Sequence, residues 1–420
     1  MTTDLAWIDG ALTSARPQAI GALLRYFRDL ETAEEAYQDA CLRALKTWPQ
    51  NGPPRDPAAW LIMVGRNAAL DQARKTKRHD ELPPEDLLSD LDDVETPMAE
   101  RLDTANYRDD ILRLLFICCH PNLPATQQIA LALRVVSGLS VKQIARAFLV
   151  GEAAMEQRIT RAKRQVGKSD VPFETPSEEE RDARLVAVMA MIYLVFNEGY
   201  STAAQDAAAR IPLCDEAIRL ARLLQRLFPS EPEVMGLAAL LVLQHSRAAA
   251  RFDAEGNVIL LDDQDRDLWS RELINEGLAL MDKAMRHNQP GPYQIQAAIA
   301  ALHARATTPA DTDWTQIERL YLALERLTPS PVITLNRAVA VSKVAGPAAA
   351  LALIEPLEAP LSGYFHFFGL KGALLLELDR PGEARTAFNH AIALANTAAE
   401  AAHIRLHLDR LVKDSTPAAT

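Results

Sequence analysis

Apolar residues recur along this chain every three or four positions, the period of a helix with one buried face, and the sustained alternation of a half-buried strand is missing. From Leu5 to Lys77 three such runs follow one another: GALLRYFRDL, ETAEEAYQDACLRALKTW and, beyond the loop PQNGPPRDP, AAWLIMVGRNAALDQARKTKR. Proline and glycine cut the loop cleanly. In the second run Glu34, Glu35, Gln38 and Asp39 fall to one side and Ala36, Ala40, Leu42 and Leu45 to the other, which predicts a helix with its carboxylates outward and its leucines inward. The third run ends in a basic cluster, Arg74, Lys75, Lys77 and Arg78.

The segment from Ser137 to Val166 carries a second signal. Val141, Ile144, Ala145 and Phe148 keep the helical period, a break falls at Leu149-Val150-Gly151, and Met155 and Ile159 resume it. Two short helices around a tight turn follow. On its own this fits a helix-turn-helix or a plain packed hairpin. The free face of the second helix holds Gln157, Arg158, Arg161 and Arg164, and Arg and Gln side chains make paired hydrogen bonds to purine edges. Lys163 and Lys168 suit phosphate. DNA is therefore the first partner to consider.

The C-terminal half repeats itself. Ala217–Ser230, AIRLARLLQRLFPS, matches Ile317–Ser330, IERLYLALERLTPS, at seven positions with an offset of 100, close to three units of a repeat of about 34 residues. Ala338 and Gly372, and Ala350 and Ala384, are 34 apart. Around Ala384, Phe388, Ala391 and Asn396 the order is small, aromatic, small, breaking, as in tetratricopeptide helix pairs, where small residues let helices approach and an aromatic fills the gap. A helical solenoid over residues 181–412 is expected, with a concave surface suited to a protein or peptide ligand. Residues 251–265, RFDAEGNVILLDDQD, interrupt it with an expected hairpin or extended insert; its carboxylates lack calcium-loop spacing and read as solvated or paired with arginines. The segment NEGY, Asn197–Tyr200, reads as a helix stop at Gly199. The fold class is all-α throughout.

Charge sharpens the division. The chain has 420 residues and a net charge of −11, and its length implies two or three domains. Residues 1–79 carry net +2, 80–110 net −10 and 111–168 net +7. So acidic a chain is no general DNA coat, and DNA binding is confined to local basic surfaces. The acidic stretch, 81–108, reads as a solvated linker, or as a segment that occupies a basic DNA-binding surface in the free protein. Cys41, Cys118, Cys119 and Cys214 have no CxxC spacing and read as reduced thiols rather than metal ligands; no metal and no cofactor is called for. No secretory leader and no run approaching 18 apolar residues is evident, so a cytoplasmic protein that does not enter the membrane is expected.

AEEAYQDACLRAL, then AWLIMVGRNAALDQARK, an acidic linker and a helix-turn-helix together resemble bacterial RNA polymerase sigma factors of the extracytoplasmic-function (ECF) class, regions 2 and 4, over roughly residues 5–168. The resemblance implies partners, core RNA polymerase and promoter DNA, and a division of labour. Region 2, residues 1–80, would dock on the polymerase through Glu35, Gln38 and Asp39. It would grip the melted minus-10 strand with the loop at 49–57, with Asn67 reading a base and Arg66, Arg74 and Lys75 holding phosphates; a flipped base needs a polar edge-reader and a single strand a cationic track. Region 4, residues 109–170, would read the minus-35 element through Gln157, Arg158, Arg161 and Arg164. Ala153, Ala154 and Glu156 stand where the family often has hydroxyl and basic residues, which implies a shifted base preference. The C-terminal half resembles the tetratricopeptide-like extension fused to one sigma-factor group, which implies control in cis.

Two rivals are weaker. A stand-alone duplex-DNA regulator leaves the helix around Asn67 unexplained. An enzyme centred on His245, His287 and His303 has no Ser-His-Asp order, phosphate-binding glycine loop or HExxH spacing behind it, so no catalytic residue is assigned.

Overall fold

Local signals set the first helices. In the computed structural model, which describes residues 6–52, 54–77, 104–120, 122–148, 150–167, 178–200, 204–253, 258–395 and 404, Arg28 turns the chain at φ 56° between α1 (Ala6–Phe27) and α2 (Leu30–Asn51). Asp29 caps α2 by accepting from Thr32 N at 2.8 Å, and Gly52 ends it at φ 78°. Asp56 accepts from the amides of Ala58 and Ala59 at the start of α3 (Pro57–Lys77), satisfying donors that a helix start leaves open. The three pack on one another around Ile20, Leu23, Leu24, Ala33, Ala36, Tyr37 and Leu61.

The next helices are α4 (Thr104–Cys118), α5 (Ala125–Val135), α6 (Val141–Ala147) and α7 (Glu152–Gly167). Thr104 lies within the stretch read as linker, whose residues 81–103 fall outside the described residues. Ser140 and Gln143 form a reciprocal capping box that starts α6. Ile144, Ala145, Met155, Ile159 and Ala162 are buried between α6, α7 and the rest of this unit. Leu149 in the turn lies outside the described residues.

Contacts divide the chain into two compact units, Met1–Val195 and Phe196–Thr420. Both carry part of α8 (Glu178–Tyr200), which runs through Gly199 and so corrects the expected stop there. By length and composition alone, Asp182–Tyr200 would be able to cross a membrane, contrary to the sequence reading, but Leu185, Val188, Met191, Ile192, Val195 and Phe196 are buried in protein.

In the second unit α9 (Ala204–Leu227), α10 (Pro232–His245), α11 (Arg271–Met285), α12 (Pro292–Arg305), α13 (Trp314–Leu327), α14 (Pro331–Ala345), α15 (Pro347–Ile354), α16 (Phe365–Glu377) and α17 (Pro381–Leu394) pack mainly on near neighbours in the chain. The repeated sequence falls on α9 and α13, with Leu224 and Leu324 buried at equivalent places. A bidentate pair from Arg222 to Glu276, at 2.8 and 2.6 Å, joins α9 to α11. Glu233 of α10 accepts from the amides of Tyr293 and Gln294 and so caps α12. Gly372 lets α16 lie against Phe388 of α17; a Cβ there would sit 2.5 Å from the ring. The insert pairs Phe252 with Val258 in one antiparallel bridge, its Gly256-Asn257 turn lying outside the described residues, as do Asn396 and residues 405–412. Among the described residues there is no strand beyond that bridge and no cluster of side chains that would hold a metal.

Candidate nucleic-acid interface

The face that α2 buries is the one with small residues. Ala33, Ala36, Tyr37, Ala40, Ala44 and Trp48 are covered, whereas Leu42 and Leu45 are 58% and 49% exposed. The expected orientation is therefore wrong in two respects, because Glu34 is also buried, at 3% exposure. Close approach by α1 and α3 selects alanine for the interior and turns the leucines out. Glu35 and Gln38 are exposed and Asp39 is half-buried, so the three residues expected to meet the polymerase share an outer surface with Leu42 and Leu45.

On α3, Arg66 and Asn67 are half-buried. The Arg66 guanidinium lies 5.4 Å from the Tyr26 ring, and its Nε is enclosed without a hydrogen-bond partner. Arg74 and Lys75 continue the helix, and their side chains lie outside the described residues. Trp48 is core, set edge-on to half-buried Trp60 with ring centroids 5.3 Å apart. Pro49 and Gln50 belong to the last turn of α2, and Pro53 of the adjoining loop lies outside the described residues.

On α7, Gln157, Arg161 and Arg164 are exposed and Arg158 is half-buried, while Met155, Ile159 and Ala162 anchor the opposite face. One basic residue of this helix is engaged: Lys163 pairs with Glu34 of α2 at 2.5 Å. Lys168 lies outside the described residues. The cysteines are free thiols, with Cys118, Cys119 and Cys214 buried and Cys41 half-buried; burial pushes Cys119 and Cys214 up to about 12.

Sequence reasoning missed the residues that hold the two basic helices in one unit. Arg16 of α1, 9% exposed, donates to Val135 O at 2.9 Å and Arg134 O at 3.2 Å at the end of α5, lies 4.9 Å from the Tyr37 ring and faces Glu34 at 3.7 Å. Buried Asp110 of α4 meets Arg25 and Arg113, both at 3.3 Å. Gly21 admits α4, since a Cβ there would sit 2.7 Å from Asp110 O. Arg16 reaches partners 119 and 118 residues away, and no local pattern announces them.

Residues 12–79 match the family model for sigma-70 region 2, and residues 113–166 match that for sigma-70 region 4. The chain thus carries sigma-70 regions 2 and 4, the pair of regions of an ECF-type sigma factor. The chain is also similar to ECF RNA polymerase sigma factor SigM of Mycobacterium tuberculosis, 28% identical over 141 residues, which is 34% of this chain and 65% of that protein. An uncharacterized protein of Rhizobium meliloti is 69% identical over 98% of this chain and 97% of its own length. Beyond the sigma regions, residues 184–285 match a family of unknown function, DUF6596. No solved structure matches. The helix-turn-helix formed by α6 and α7 thus lies in the region 4 match.

Proposed function

We propose that this sigma factor directs core RNA polymerase to specific promoters and assists their melting, and that its C-terminal unit, a tetratricopeptide-like stack, controls it in cis. The observation that carries the reading is the exposed row Gln157, Arg161 and Arg164 on a helix anchored from behind by Met155, Ile159 and Ala162. With Arg158, those residues read the minus-35 element in the major groove. Asn67 reads a base of the melted minus-10 strand, and Arg66, Arg74 and Lys75 hold its phosphates. Glu35, Gln38 and Asp39 dock on the polymerase, and we add Leu42 and Leu45 because exposed leucines beside them supply the apolar area that an interface centre needs. The polymerase performs the phosphoryl transfer, and this chain contributes no catalytic residue. Residues 81–108 link the two sigma regions, and a protein or peptide segment is the expected ligand of the C-terminal stack.

The two promoter elements are named for positions about 25 base pairs apart, roughly 85 Å at 3.4 Å per pair, whereas Lys163 and Glu34 touch. Productive binding therefore requires regions 2 and 4 to separate. The decisive experiment runs the full chain and a fragment of residues 1–172 beside sigma-free core polymerase on a sizing column. Co-migration of either supports the reading, and a difference between them gives the direction of control. Failure of both makes a stand-alone DNA-binding regulator the better account.

A further inference from the structure

Arg266 sits in a short turn ahead of α11 and is 8% exposed. One nitrogen, Nη1, donates to His303 O at 2.8 Å and Ala306 O at 2.6 Å, closing the carbonyl end of α12. Its Nε and Nη2 are enclosed without a partner. A buried guanidinium with two unpaired nitrogens is a strongly unfavourable arrangement unless an anion completes it. Asp262 and Asp311 act on the Arg266 charge without hydrogen-bonding those two nitrogens; Asp262 also pairs with Lys343 at 3.4 Å, and Asp311 accepts from Thr307 and Thr308.

The surroundings extend this deficit. The Arg266 guanidinium lies 4.8 Å from the Trp269 ring and that of Arg247 5.9 Å from the same ring, while the buried Trp269 Nε1 has no acceptor. Arg247 donates to Tyr200 Oη at 3.0 Å, and Arg251 donates to Tyr200 O at 2.6 Å with its guanidinium 3.6 Å from the Tyr200 ring. His303 stands edge-on to Trp314 at 5.3 Å. Arg247 and His303 are half-exposed, and Arg266 and Trp269 lie below them. Three segments without a role in the sigma regions, the NEGY end of α8, the RFD insert and the DQDR turn, meet at this cluster.

We propose that Arg247 and Arg266, backed by Trp269 and His303, form a binding site for a small oxyanion, a phosphate or carboxylate group on an effector. Paired donation from a guanidinium fork is the geometry that phosphate and carboxylate share, and the indole Nε1–H adds a third donor. The site goes beyond the control reading and does not depend on it, because binding is measured without polymerase or DNA.

The full-length chain is titrated by calorimetry with sodium phosphate and, separately, sodium citrate, at ionic strength held constant with chloride. Saturable binding of one ion per chain is expected for at least one of them; phosphate alone identifies a phosphoryl group, citrate alone a carboxylate, and both an oxyanion site without preference. Arg247→Gln is expected to weaken binding about tenfold or more, equivalent to about 1.4 kcal/mol. Arg266→Lys keeps the charge, loses the fork and is expected to do the same. Because Arg266 also closes α12, each variant's helicity is checked by circular dichroism, and the half-exposed Arg247 carries the test if the Arg266 variant fails to fold. Absence of saturation by both ions, or unchanged affinity in a folded Arg247→Gln chain, overturns the proposal.

Discussion

Lys163, on the second helix of the helix-turn-helix in region 4, ends at the carboxylate of Glu34, 2.5 Å away on a helix of region 2. Glu34 is 3% exposed and Arg16 approaches it from the other side at 3.7 Å, so one carboxylate joins both regions. Removing one member of a buried ionic cluster leaves the others uncompensated and typically costs about 3 kcal/mol. Glu34→Gln is expected to loosen region 4 from region 2, seen as faster amide exchange in α5 and α7 with α1 to α3 still protected. Unchanged exchange in α5 and α7 would show that Arg16 and Asp110 hold the regions together without it.

Leu42 and Leu45 lie outside the core, so charging one should not disturb folding. Leu42→Asp is expected to leave the unfolding free energy within about 0.5 kcal/mol of the parent and to weaken binding to core polymerase by about 2 kcal/mol. A large loss of stability with polymerase affinity intact would return the residue to a packing role.

Asn67→Ala separates binding from opening. The expected result is normal polymerase affinity with fewer open complexes, detected by permanganate reactivity of thymines in the minus-10 region. Equal loss of both would mean that Asn67 supports the fold of α3.

Arg161→Ala should lower affinity for minus-35 DNA by about 1 to 3 kcal/mol and relax the preference at one base pair. A competition assay with single-base promoter variants reads this directly. Uniform weakening across all variants would identify a phosphate contact instead.

His303 provides a pH signature. Burial, with Arg247 and Arg266 beside it and only Asp262 opposing them, pushes it down to about 4. The unfolded chain takes up this proton near pH 6.5, the folded one only near 4, so between these values the unfolded state binds more protons. Stability should therefore fall as pH drops from 6.5 toward 4, by up to about 3 kcal/mol, and this contribution should level off below. In urea titrations across that range, His303→Gln is expected to show a shallower decline than the parent; identical slopes would mean that the histidine titrates normally.

Much of this protein was legible before any coordinates. Helical period, the proline- and glycine-marked loop after α2 and the free basic face of α7 are local properties, fixed by residues within a few positions of one another. The order of the two sigma motifs was equally readable, because each is a short contiguous segment. The inward face of α2 was not. Both its sides carry apolar residues, and only the close approach of α1 and α3 selects alanines for the interior and leaves leucines outside. Glu34, Arg16 and Arg266 were unreadable for a related reason: a buried charge is defined by partners tens to more than a hundred residues away, as with Arg16 and Val135 O at a separation of 119. Periodicity thus decides what is a helix and which motif it carries, whereas long-range packing decides which charges are enclosed and what they hold.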